Sequence, residues 1–298
     1  MRIGALEAGG TKMVCAIGDE NGALLKRIVL PTKTPENTIP DIISFFQQEE
    51  IEALGIGCFG PLNLDKQSRE YGTITSTPKI AWQQYPIADT FSKALNVPIA
   101  LDTDVNAAAL GEAAWGAAKG DQVVLYITIG TGVGVGVCIE NKLLHGLVHP
   151  EAGHILLNKR KDDPYEGSCP FHKNCMEGLA SGPAIEGRWG DKAENLSDNE
   201  YVWEMEADYI ASAIANFVLL YSPNRIILGG GVMHQVRLYP MIRAKVKHYL
   251  NGYITHRSLQ EEMDAYIIPP VLGDDAGIKG ALKLAIDSLN HINHINHI

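Results

Sequence analysis

The sequence predicts an α/β protein built as two lobes, and three observations predict it. Its 298 residues exceed the roughly 100–200 residues of a single domain. Strand-like and helix-like segments alternate along most of the chain. Two strand–glycine turn–strand units open separate stretches, one at the start and one from Asp121, and strands and helices alternate after each. The halves share a plan without sharing many residues.

Taken in order, Arg2 to Pro31 reads as three short strands. "AGGTK" and "DENG" form the turns, and alternating Met13, Cys15 and Ile17 set a strand period. A helix is expected from Thr38 to Glu50, with Ile39, Ile42, Ile43 and Phe46 on one face. "IEALGIGCFGP" is a buried strand, 62–80 is polar and irregular, and "PIADTFSKALN" is a helix. The strand "VPIALD" then leads into the alanine-rich helix "TDVNAAALGEAAWGAA". Residues 1–118 are thus expected as a smaller N-terminal lobe and 119–298 as a larger one. The second lobe opens with the strands of "DQVVLYITIGTGVGVGVCIENKLL" and continues through a Cys/His loop at 154–175. Helices follow near 178–190 and 199–222, then the strand "RIILGG", a helix near 235–251 and the strand "AYIIPP". The final helix, "DDAGIKGALKLAIDSL", has an acidic opening suited to the helix dipole and could pack back on the first lobe. The tail "NHINHINHI", with His291, His294 and His297, is expected to fray.

Composition narrows the function classes. A net charge of −10 and a pI near 5.5 argue against a nucleic-acid partner, which would need a concentrated basic face. No apolar run approaches the roughly 20 residues that span a bilayer, and "MRIGALEAGG" lacks a signal-peptide core. A cytoplasmic protein without a membrane or nucleic-acid partner is expected. There, Cys15, Cys58 and Cys138 read as small core residues.

Chemistry concentrates in three places. Glycine clusters occur at Gly9-Gly10-Thr11-Lys12, Gly130-Thr131-Gly132-Val133-Gly134 and Gly229-Gly230-Gly231. The second is flanked by strands on both sides, which fails the dinucleotide-binding context, and no phosphate-loop motif of the G-x-x-x-x-G-K-[ST] kind is present. Each turn alone reads first as structural; two at equivalent places are a stronger signal and suit two lobes gripping one polyphosphate. Asp102 and Asp104 sit between a strand end and a helix, where a carboxylate either caps the helix or enters a cleft. Cys169-x2-His172-x2-Cys175 offers three zinc ligands, and His145, His149 or His154 could supply the fourth. A Cys169–Cys175 disulfide is disfavoured in a reducing compartment and leaves His172 unexplained.

"EAGGTK", "DTDVNAAALGE", "ITIGTGVGVG", "HPEAGH" and "CPFHKNCMEGLASGP" resemble, in register over essentially the whole chain, the ROK (repressor/open reading frame/kinase) sugar kinases. Within them the closest likeness is to the bacterial fructokinases. The resemblance implies two ribonuclease-H-like lobes of the actin/hexokinase/heat-shock ATPase-like fold, with ATP and sugar in an interlobe cleft. It implies that Gly9, Gly10, Thr11, Lys12, Thr131 and Gly132 hold the ATP phosphates. Gly229, Gly230, Gly231, Val232 and Met233 would line the adenine and ribose pocket, with Pro183 near it. Glu7 stands where many relatives carry Asp and is expected to orient Mg2+ through water. Asp104 becomes the general base and Asp102 its support. Thr103, where relatives commonly carry Asn, is expected at the sugar with Glu151, His154 and Glu177.

The resemblance also selects His154 as fourth ligand to a structural Zn2+, with Cys169, His172 and Cys175. Such a closed site would order its loop and fix the two glutamates without entering the reaction. The implied activity is ATP- and Mg2+-dependent phosphorylation of D-fructose to D-fructose 6-phosphate, with glucose or mannose as alternative substrates and a homodimer as the expected state. Sugar-responsive repressors of the family carry a winged helix-turn-helix ahead of the first strand. Here that strand begins at Arg2, so an enzyme is expected.

Overall fold

In the computed structural model, which describes residues 1–296, the chain forms two compact units. The first unit comprises Met1–Gly120, Asn141–His149 and the chain from Val271; the second comprises Asp121–Glu140 and Pro150–Pro270.

The first unit contains β1 (Ile3–Ala8), β2 (Lys12–Gly18), β3 (Leu24–Pro31), α1 (Pro35–Gln48), β4 (Leu54–Cys58), α2 (Ile87–Leu95), β5 (Ile99–Thr103) and α3 (Asp104–Trp115). Its sheet runs β3-β2-β1-β4-β5, antiparallel over the first three strands and parallel from β1 to β5. Strand alternation decides what each face buries. Leu6, Met13, Cys15, Ile17 and Ile56 pack with Ile39, Ile42 and Phe46 of α1 and with Phe91 of α2. Ile3, Ala5, Val14 and Ala16 face the other way and pack on Ile278, Ala281 and Leu282. α3 buries every residue from Asn106 to Ala113, so it has no polar face to give to water.

The second unit starts with β6 (Val123–Ile129) and β7 (Val133–Ile139); a two-residue β8 (Lys142–Leu143) follows, already in the first unit. Then come α4 (Met176–Ala180), α5 (Gly182–Trp189), α6 (Glu200–Tyr221), β9 (Arg225–Gly229), α7 (Leu238–Leu250), α8 (Arg257–Gln260), α9 (Met263–Tyr266) and β10 (Ile267–Ile268). Within this unit the strands run β10-β9-β6-β7, with β6–β7 antiparallel and β6–β9–β10 parallel. The plan repeats the first sheet: a hairpin about a glycine turn, then parallel strands. α10 (Ala276–Asn296) closes the chain in the first unit.

The predicted α/β class with two sheets is therefore borne out, while several elements differ in detail. α1 starts at Pro35, whose missing N–H costs nothing in a first turn. The helix expected over 178–190 is two helices. Ser181 is extended and caps the second, accepting the Ala184 N–H at 3.3 Å. "AYIIPP" pairs only through Ile267 and Ile268, because α9 occupies Ala265–Tyr266 and two prolines follow. The tail, expected to fray, is helical over its described part: α10 continues through Asn296, carrying His291 and His294, whereas His297 lies outside the described residues. No helix of the described residues is long and apolar enough to cross a membrane.

Candidate active site and metal centre

In the first unit, β1 delivers Glu7 to the face covered by α10. Its carboxylate rests against Gly277, where a Cβ would come within 2.6 Å of the Glu7 carboxyl carbon. Glu7 Oε2 is buried with no hydrogen-bond partner. Burial, and then the charge of Asp104, push this carboxyl up to about 7. The turn after β1 is closed by the Gly9 N–H donating to the Lys12 carbonyl at 3.0 Å, and the Thr32 hydroxyl donates to the Gly9 carbonyl at 2.7 Å.

At the end of β5 the chain turns into α3, and Asp102 fastens that turn. Its Oδ1 accepts from the Thr103 N–H at 2.8 Å and from Asn106 Nδ2 at 2.7 Å; its Oδ2 lies 2.8 Å from His145 Nε2. Bonding to Asp102 raises the His145 pKa. The Thr103 hydroxyl accepts the Asn106 N–H at 3.2 Å and so caps α3. Asp104 opens α3, accepting the Val105 N–H at 2.8 Å. Burial raises its pKa against the opposing effects of that N–H and of His149. His149 is itself buried, its Nε2 accepting the Leu62 N–H at 3.4 Å. His145 and His149 thus serve the first unit.

His154 alone of the three upstream histidines joins the cysteines. Its Nδ1 lies 3.5 Å from Cys175 Sγ and 3.8 Å from Cys169 Sγ, and His172 Nδ1 lies 3.8 Å from Cys169 Sγ. All four ligand atoms fall within 4.8 Å of one another. Tetrahedral bonds of about 2.3 Å to sulfur and about 2.0–2.1 Å to nitrogen put neighbouring ligands roughly 3.3–3.8 Å apart, so the donor set fits a four-coordinate metal. All five cysteines are free thiols, including Cys169 and Cys175. The backbone zips the ends of this loop together: the Met176 N–H donates to Ile155 at 2.9 Å and the Leu157 N–H to Asn174 at 3.0 Å. Glu151 immediately precedes the short helical turn Ala152–His154 and is exposed.

Glu177 follows Cys175 in α4, and its Oε2 accepts the Val133 N–H at 3.1 Å. That bond ties the metal loop to the glycine turn of Thr131 and Gly132, a link with no sign in the sequence because the partners are 44 residues apart. Gly130 also accepts the Gly182 N–H at 2.7 Å, which brings the start of α5, with Pro183, to the same turn. Thr131, Gly182, Gly231 and Val232 line one cavity of about 670 Å³, together with Glu186, Lys192 and His234, which no sequence signal marked. Gly229, Gly230 and Met233 frame the strand end and turn leading to it. Gly230 has φ +91°, and a Cβ there would overlap the Ile129 backbone, so only glycine fits.

Comparison with known proteins identifies the family. A family model described as "ROK family" matches residues 3–288. A Bacillus subtilis (strain 168) protein is 51% identical over 287 residues, 96% of each chain. The "Fructokinase" of Pediococcus pentosaceus is 43% identical over 294 residues, 98% of this chain and 100% of its own. A solved ROK family glucokinase from Streptomyces griseus, in complex with glucose and AMPPNP, superposes with a TM-score of 0.75 at 27% identity, covering 96% of this chain and 100% of that one. With two sheets of one plan, paired glycine turns and a Cys/His cluster after an E-x-G-H element, the chain belongs to the ROK family.

Proposed function

We propose that this protein is an ATP-dependent hexokinase-type enzyme that phosphorylates D-fructose to D-fructose 6-phosphate. Fructose is favoured over glucose and mannose by the 43% identity to the Pediococcus fructokinase over nearly the full length of both chains. The observation that carries the chemistry is Asp104. A partly buried carboxylate at a strand–helix junction, with raised proton affinity, is suited to take the proton of an attacking hydroxyl.

Other residues fall into supporting roles. Glu151, His154 and Glu177 are assigned to the sugar hydroxyls, and Gly9–Lys12 with Thr131 and Gly132 to the ATP phosphates. The second-unit cavity, reached by Gly231 and Val232, is assigned to the nucleoside. The buried, unpartnered Glu7 Oε2 is a donor that a hard divalent cation would satisfy, and we assign Mg2+ there. When bound, Mg2+ neutralises phosphate charge during transfer. Zn2+ suits the Cys2His2 set; with four protein ligands it is structural. Thr103, committed to capping α3, is the weakest of the sugar contacts. A homodimer in the cytoplasm completes the proposal, and sedimentation of the purified protein tests the assembly state.

The decisive experiment is ADP release with fructose, glucose and mannose as acceptors. Fructose is expected to give the highest kcat/KM. Asp104→Asn is expected to lower kcat by about 10²–10⁴-fold while ATP still binds. An active Asp104→Asn enzyme would overturn the general-base assignment, and preference for another hexose would overturn the substrate.

A further inference from the structure

Lys79 lies in the irregular stretch between β4 and α2, distant in sequence from the Gly9–Thr11 turn, yet the fold sets it on that turn. A Cβ built on Gly10 would stand 3.1 Å from Lys79 Cε and 4.0 Å from its Nζ. The placement is firm. Lys79 caps the short helical turn Ile80–Trp82, and its carbonyl accepts the Trp82 N–H at 2.8 Å. Trp82 is 1% exposed, with its indole N–H donating to the Lys33 carbonyl at 2.7 Å. The Lys79 N–H also donates to the Thr77 hydroxyl at 3.3 Å.

The lysine is only half-buried, and among the described residues its ammonium has no carboxylate partner. The Gly10 and Thr11 N–H groups likewise have no acceptor among the described residues. Two unspent amide donors and one unspent ammonium around the same small residue are the elements of an anion cradle. An ammonium there supplies a point charge that amides cannot.

We propose that Lys79 is a further catalytic residue, whose ammonium contacts the terminal phosphate of the nucleotide over Gly10. This rests on the assignment of the Gly9–Lys12 turn to phosphate made above. The role is that of a cation stabilising charge on the transferring phosphoryl group, with no bond made or broken by the lysine.

The test uses steady-state kinetics of Lys79→Met and Lys79→Arg in the full-length enzyme, with fructose and ATP, alongside calorimetric titration with ATP and with AMP. Lys79→Met is expected to lower kcat by about 10²–10³-fold, with KM for fructose within about threefold of wild type. ATP affinity should weaken while AMP affinity is unchanged, and Lys79→Arg should recover part of kcat. A Lys79→Met enzyme with wild-type kcat overturns the inference. So does one whose only defect is a raised fructose KM, since the lysine would then be a sugar contact. Gly10→Val separates this failure from that of the underlying assignment. If it leaves ATP affinity intact, the turn does not hold phosphate and both fall; if it abolishes ATP binding while Lys79→Met is normal, only the lysine's role falls.

Discussion

Thr103 shows how a single hydroxyl divides between structure and specificity. Its oxygen is already an acceptor for the α3 backbone, so Thr103→Val is expected to destabilise the protein by about 1 kcal/mol, read from the urea midpoint. Thr103→Asn, another good cap, should keep stability and report only on sugar preference. Glu206 is the opposite case: both carboxylate oxygens are buried in α6 without partners, and burial raises its pKa well above the ordinary value despite Arg188. The folded state therefore holds this proton more tightly than the unfolded chain, and the contribution, full at low pH, is lost as pH rises through the folded pKa. Glu206→Met is expected to raise stability by about 1–3 kcal/mol, with the advantage growing toward alkaline pH in parallel denaturation series. Asp104, the Cys169–Cys175 spacing and the glycine turns were legible because each depends on neighbours in sequence. The Asp102–His145 bond, the Glu177–Val133 bond and Lys79 over Gly10 were not, because nothing local distinguishes those residues until the chain folds.

Among elements, α10 makes the closest approaches. A Cβ at Gly55 of β4 would overlap the Ala281 carbonyl, and one at Gly280 would overlap that of Ala107 in α3. Backbones meet there without side chains between them, so Gly280→Leu is expected to cost about 3 kcal/mol or to prevent folding, seen as loss of the cooperative thermal transition. Glu112 adds a polar tie, its two oxygens accepting the Ala117 N–H at 2.6 Å and the Leu272 N–H at 2.8 Å. The metal loop behaves differently, since little apolar surface holds it. Cys169→Ser is expected to lose the metal, lower Tm and raise KM for the sugar, with metal content measured by mass spectrometry; wild-type kinetics in the metal-free variant would show that the loop does not position Glu177. An apolar face made α1 readable, and an alanine-rich run did the same for α3. The break at Ser181 and the short β10 were hidden, because a cap and a proline pair override apolar runs that look continuous.

For the molecule as a whole, the repeated plan of the two sheets was readable in the order of strands and helices, while the family likeness came from the motifs in "EAGGTK", "DTDVNAAALGE" and "CPFHKNCMEGLASGP". That Asn141–His149 belongs with the first unit was not readable, since Lys142 and Leu143 read as the end of the second strand of the glycine-turn hairpin. Yet this segment brings His145 to Asp102 and His149 to Leu62, so the turn presenting Asp104 is buttressed from a distant part of the chain. The first unit is in fact stitched from three stretches, and Ile278, Ala281 and Leu282 cover Ile3, Ala5 and Val14. During biosynthesis the opening hairpin therefore leaves the ribosome with one apolar face bare, and it stays bare until the last helix is translated. The second unit has all of its residues by Pro270 and can close first, which makes the nascent N-terminal sheet the natural client of a holding chaperone.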